Sequence, residues 1–335
     1  MLKVIKSREL ITLDGMGFRL CATYHVPTNR FSRPRAAGNG QDRLGVLFLN
    51  SLSLPRTATG DSAVHWADSC AESGYPSIRL DLPGLGDSDG DFSTDLLDFI
   101  NGAGYAPIAA AVVKDLTQRI GLSGVVIVGH CAGAISALFA AAASRECRGL
   151  ILMDPYFHLP QMIRPKLRQK LSDWARSSRV GGTVSDIYDR LRDILLVTHG
   201  DRPPGNANFR LLGCWKQVAT RGLPILMLKA PGLKARGTKP RIGEFDYIKH
   251  VMELAGRKSQ VIVKLVEGTD HSFANRAGRA AVQQHIQSWL DRYFPLAGLE
   301  ESARGVPPSS AHDDQSDYAK PRTVRADIRC ALEGR

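Results

Sequence analysis

Residues 129–133 read Gly-His-Cys-Ala-Gly, a G-x-C-x-G pattern. An apolar run, Val125–Val128, precedes it, and a small-residue run, Ile135–Ser144, follows. A cysteine at a sharp strand-to-helix corner is placed to be a nucleophile. The glycines have a steric task, because side chains at 129 and 133 would strike the neighbouring strand and helix. The corner lifts Cys131 clear of the sheet and sets it at a helix N-terminus. The partial positive charge there favours thiolate over thiol.

A thiol nucleophile needs a base and an orienting acid. For this motif the chain order is nucleophile, acid, histidine. His271, in "EGTDHSF" after an apolar run and before a last amphipathic helix, is the expected base. His130 adjoins the nucleophile, but the corner points it away from the thiol, and Asp270 reads as a brace within its loop. The acid is expected after the run "LPILMLKA". The first carboxylates there are Glu244 and Asp246. Asp246 is the first choice, Glu244 the second, and Asp154, one strand earlier, the third. A thiolate–imidazolium pair leans less on its acid than a serine does, so a displaced third member is tolerable. The oxyanion would be held by two backbone N–H groups. Ala132 is the expected first donor. Leu52, in "SLSLPR", is the expected second, with Ser51 as its alternative. "RLDLPGLGDSDG", Arg79–Gly90, reads as scaffolding of the rim. Its glycines make tight turns, and its Asp and Ser bond the backbone locally.

Positioning these groups requires a regular frame. Apolar runs at Lys3–Leu10, Phe18–Tyr24, Leu44–Asn50, Ser77–Asp81, Gly124–Gly129, Arg148–Asp154, Pro224–Leu228 and Gln260–Val266 read as eight strands. The last six are continuous Val/Ile/Leu runs, as in parallel strands buried on both faces. The first two read as an antiparallel hairpin at the sheet edge. Helical patterns near 61–73, 109–119, 132–144, 246–255 and 279–293 alternate with them. The class is therefore α/β, a mostly parallel sheet with helices on both faces. Residues 156–222 break the rhythm and read as a helical cap between two core segments, 1–155 and 223–296. Residues 297–335, rich in charge, Pro and Ser, read as a disordered tail.

Composition excludes several classes. The 335 residues are 43% hydrophobic and 23% charged, values of a soluble globular chain. No signal peptide and no membrane-spanning run is read. The six cysteines are scattered, so neither a metal knuckle nor a disulfide framework is indicated, and no cofactor or metal is called for. A cytoplasmic location is expected, since a catalytic thiol must stay reduced. The net charge of +11 falls in clusters rather than one stripe, and no nucleic-acid motif accompanies it. Arg164, Lys166, Arg168 and Lys170 form one cluster; Lys229, Lys234, Arg236, Lys239 and Arg241 form another. Both are expected at the site's rim, where they would draw an acidic donor such as a coenzyme A thioester or an acyl carrier protein. Oligomeric state is left open.

With "DLPGLGDSDG", "GHCAGA" and "GTDHSF" in this order and spacing, the chain resembles an α/β-hydrolase over about Leu2–Pro295. It is more narrowly similar to bacterial α/β-hydrolases with a G-L-C-S-G-A elbow, associated with exosortase and exopolysaccharide systems or with biosynthetic clusters. Asn50 and Arg56 match that group's Asn-Ala-Gly and His-Arg segments, while Ser51, Leu52 and Pro55 depart. Lys170, Trp174 and Gly181–Gly182 resemble its cap. The elbow is also similar to that of dienelactone hydrolases and polyhydroxyalkanoate synthases, which have Cys-His-Asp sites. The resemblance implies an eight-stranded α/β-hydrolase sheet and a covalent acyl-cysteine. The expected activity is ester or thioester hydrolysis on a small acyl substrate. The alternatives are acyl transfer from coenzyme A or a carrier protein, and a non-catalytic binding protein on the same fold.

Overall fold

The computed structural model describes residues 7–27, 43–159, 203–231, 245–257 and 259–296. Eight strands form one sheet. They are β1 (Arg8–Gly15), β2 (Phe18–His25), β3 (Leu44–Phe48), β4 (Ser77–Leu80), β5 (Gly124–His130), β6 (Cys147–Met153), β7 (Ile225–Lys229) and β8 (Val261–Leu265). Their spatial order is β1-β2-β4-β3-β5-β6-β7-β8. Only β1–β2 and β2–β4 pair antiparallel; all later pairs are parallel.

The edge hairpin is there, but its first strand is Arg8–Gly15 rather than Lys3–Leu10. The turn decides this. Met16 and Gly17 both take positive φ, 58° and 88°, as a two-residue hairpin turn demands. Asp14 Oδ1 accepts from Gly17 N at 2.9 Å and closes it. A turn at 16–17 pairs Gly15 with Phe18 and Arg8 with His25.

Seven α-helices occur among the described residues: α1 (Ser62–Glu72), α2 (Leu96–Asn101), α3 (Ala106–Arg119), α4 (Ala132–Ala143), α5 (Phe209–Thr220), α6 (Tyr247–Ala255) and α7 (Arg276–Tyr293). They cover both sheet faces, and the strands' period of two divides the core accordingly. Leu47, Ile127, Leu152 and Met227 join one apolar cluster with α3, α4 and α5. Val46, Val128, Ile151 and Leu226 join another with Trp66 of α1 and Ile286 and Trp289 of α7. Side-chain caps start three of the helices. Asn208, Asp246 and Asn275 accept from Leu211 N, Lys249 N and Gly278 N at 3.0, 3.0 and 2.6 Å.

Helix α5 lies within the span read as a cap, yet it is a layer helix. Its Trp215 is fully buried and donates Nε1–H to Val251 O at 2.7 Å. Leu211, Trp215 and Val218 recur at helical spacing and pack with the core. The rest of the expected cap, 160–202, and the expected tail, 297–335, lie outside the described residues. No helix among the described residues is long and apolar enough to cross a membrane.

Candidate active site

Strand β5 runs into α4 through Cys131, whose φ of 52° and ψ of −117° form a strained corner. The strain is held from both sides. Cys131 N donates to Met153 O at 2.8 Å, and Ala134 N donates to Cys131 O at 3.0 Å. A Cβ on Gly129 would stand 2.2 Å from Gly133 O, and one on Gly133 would stand 2.3 Å from Asn50 O. Glycine is thus required at both positions. The second contact also seats the loop after β3 against the first turn of α4.

That loop carries Leu52, itself at φ 49° and partly exposed. A buried carboxylate anchors it. Asp81, wholly buried, accepts from Asn50 Nδ2 at 2.9 Å and from Arg56 N at 2.7 Å, and pairs with the Arg56 guanidinium. Asn50 Oδ1 in turn accepts from Leu82 N at 2.7 Å. Gly86 makes room, since a Cβ there would lie 2.2 Å from Asp81 Oδ2. Ser88 Oγ donates to Asp81 O at 2.6 Å, and Asp87 meets Arg56 at 2.7 Å. The 79–90 segment is the scaffold its composition suggests. Ala132 opens α4, so its N–H has no partner within the helix.

His271 is brought back by the loop between β8 and α7. Phe273, fully buried at φ 51°, anchors that loop, and Asp270 Oδ1 braces it by accepting from Ser272 N at 2.9 Å. His130 adds a second anchor. Its Nε2 donates to His271 O at 2.6 Å, and the two rings stand 5.1 Å apart. Burial pushes the His130 imidazole down to about 4, so this donor is a neutral ring.

His271 Nδ1 is hydrogen-bonded to Asp154 Oδ2, and the ring interacts electrostatically with the Cys131 side chain. The hydrogen bond to Asp154 and the neighbouring Cys131 together raise the imidazole to about 10. Asp154 follows β6 at φ 48°, with its N–H on Leu228 O at 2.7 Å. Burial would raise the Asp154 carboxyl, but hydrogen bonds from His271 and Lys229 outweigh this and hold it below the usual range. Leu52, Cys131, Asp154 and Phe273, all non-glycine residues at positive φ, lie in the four segments that build the site. Strain of this kind concentrates where function over-determines the backbone.

The carboxylate on His271 is thus Asp154, third in the sequence reading. Asp246, the first choice, is spent as the N-cap of α6. Glu244 lies outside the described residues, as do Arg164–Lys170 and Lys234–Arg241 of the basic clusters. Lys229 is described, and it is an ion-pair partner of Asp154. No motif or spacing in the sequence signals that pairing, the His130 anchor or the role of Asp81. Only Asn50 and Arg56 carried a signal, through the family resemblance. Among the described residues no group of His, Cys, Asp and Glu could hold a metal ion.

A family model described as alpha/beta hydrolase fold matches residues 48–180. Solved structures similar to the chain include the esterase Pf2001 of Pyrococcus furiosus. It has a TM-score of 0.54 and 11% identity, over 86% of this chain and 92% of that one. Est1E of Butyrivibrio proteoclasticus, with ferulic acid bound, has a TM-score of 0.51 and 16% identity over 84% and 98%. The alpha/beta hydrolase GrgF of Penicillium sp. sh18 has a TM-score of 0.51 and 15% identity over 86% and 99%. No curated protein matches the chain. Strand order, corner geometry and these likenesses together show that the chain has the α/β-hydrolase fold.

Proposed function

We propose that the protein is a hydrolase that cleaves a carboxylic ester or thioester through an acyl-cysteine. The single observation carrying this is Cys131 at a strained strand-to-helix corner beside a His271 ring that is hydrogen-bonded to Asp154. His271 Nε2 takes the Cys131 proton, Asp154 steadies the imidazolium through Nδ1, and the thiolate attacks the acyl carbon. The backbone N–H groups of Ala132 and Leu52 stabilise the oxyanion. As the intermediate collapses, His271 protonates the leaving alkoxide or thiolate, and an acyl-cysteine remains. His271 then removes a proton from water, hydroxide attacks the thioester, and Cys131 leaves as the acid is released.

An open groove of about 290 Å³ supports an acyl substrate. It is lined by Leu52, Phe92, Leu96 and Leu97 together with the polar Ser53, Thr94, Asp95 and Asp98. It lies beside the oxyanion loop, and its wall, α2, packs on α4, the helix that the corner opens. A cytoplasmic setting suits the free thiol.

Hydrolysis of short p-nitrophenyl esters and acyl thioesters by Cys131→Ala and the native protein tests the reading. Cys131→Ala should lose turnover to background. Full turnover in that variant overturns the reading. An adduct on Cys131 that clears only with an added alcohol, amine or thiol would make the enzyme an acyltransferase. No adduct with any donor would favour a binding protein on this fold.

A further inference from the structure

The strand expected to lead to the acid, β7, ends instead in a cation. Lys229 Nζ pairs with Asp154 Oδ1 and donates to Pro155 O at 3.4 Å. The other oxygen of the same carboxylate, Oδ2, holds His271 Nδ1. Strand register explains the meeting: Leu228 pairs with Met153, so the next residues of β7 and β6 stand side by side. The side chains are 27% and 13% exposed, so water screens the pair only in part.

We propose that Lys229 is a positioning residue for the acid–base pair. Its ammonium fixes Oδ1 of Asp154 so that Oδ2 meets the ring, and it loosens the carboxylate's hold on the imidazole proton. The inference rests on the reading of His271 as the general base. That base must be found neutral when water attacks the acyl-cysteine; its value of about 10 belongs to the state with free Cys131, and acylation removes the Cys131 contribution. A carboxylate with no other counter-ion would keep the proton on the ring; one shared with an ammonium holds it less firmly. Among the described residues, the titratable groups around the ring are Asp154 on the β6 end, Cys131 at the corner, His130 on β5 and Asp270 beside it in its own loop. Lys229 acts from β7 through Asp154. His158 is held down by burial and by that ammonium.

The ring's titration tests this without turnover. In a Cys131→Ala background the thiol no longer couples to the ring, and histidine-labelled protein gives the His271 midpoint by NMR. His271→Gln identifies the signal among the nine histidines. Lys229→Met should move the midpoint up by about one pH unit. Lys229→Gln, which keeps a hydrogen-bond donor, should do likewise, and Lys229→Arg should leave it near the native value. With Cys131 present, the acid limb of kcat should move up by the same amount in Lys229→Met while KM stays put. An unmoved midpoint in both neutral variants overturns the proposal, as does an equal shift in Lys229→Arg. A moved midpoint in a protein that hydrolyses no ester supports the role of Lys229 while the hydrolase reading falls.

Discussion

The imidazole of His271 is held by Asp154, a carboxylate 117 residues earlier in the chain, at the end of the strand next but one to the β8 strand that leads into the His271 loop. The link joins the strained end of β6 to that loop. Asp154 thereby serves a ring that also interacts with Cys131.

Exchange of this carboxylate should separate the two aspartates first weighed for the role. Asp154→Asn leaves the shape but removes the charge that steadies the imidazolium. Turnover should fall by roughly 10²-fold or more. Asp246→Ala should lose only the α6 cap, about 1 kcal/mol of stability, with turnover retained. Urea unfolding and ester hydrolysis measured on both variants decide; equal loss of activity in the two would reverse the assignment.

Gly133→Ala places a methyl 2.3 Å from Asn50 O, a backbone atom with little freedom. The loop bearing Leu52 must retreat from the N-terminus of α4. Because an oxyanion donor is worth about 10²–10³ in kcat, a loss of that order is expected, with KM less affected. Native-like kcat in a folded variant would show that the two donors do not act together.

Asp81→Asn should show whether the buried anchor secures that loop. The substitution leaves Arg56 beside a neutral amide in a buried setting. Breaking a buried pair costs about 3–5 kcal/mol. A shift in the urea midpoint is expected, together with lower activity below the midpoint. A variant as stable as the native protein would show that Arg56 is satisfied by Asp87 alone.

Stability should peak near pH 6.5. Burial holds His25 and His130 down to about 4, so below 6.5 the unfolded chain takes up protons that the folded one refuses. Stability is lost as pH falls from 6.5 to 4, by at most roughly 3 kcal/mol for each. The lowered Asp154 carboxyl adds to this loss only as pH falls further, below about 4. His271 is raised to about 10, so its contribution is complete below 6.5 and fades as pH climbs towards 10. Thermal midpoints from pH 4 to 10 should trace both limbs, and His271→Gln should flatten the alkaline one. A native midpoint that rises steadily from pH 7 to 9.5 would be incompatible with this linkage.

His25 illustrates what the sequence conceals. Arg79 Nε donates to its Nε2 at 2.8 Å, which leaves Nδ1 to donate to Asp68 at 2.8 Å. No spacing rule links residues 25, 68 and 79. The corner is the opposite case. Glycines at 129 and 133 and a helix-forming run after them encode its shape locally, so Cys131 could be read from five residues. His271 was legible because its loop follows a strand and precedes the last helix. The acid was not, because three carboxylates suited the chain order and the choice among them lies in how the end of β6 meets the loop after β8, which no local pattern encodes. Helix α5 was hidden within a polar, basic stretch, although its Trp215 and Val218 mark a buried face. The first strand was misplaced because its turn needs positive φ at Met16, a residue that does not advertise it.

Peptide mapping of the protein quenched during turnover of a slow acyl thioester tests the nucleophile most directly. The acyl group should be found on Cys131, labile to hydroxylamine and absent from Cys131→Ala. An acyl group on another side chain, or steady product formation with Cys131 unmodified throughout, would contradict the assignment.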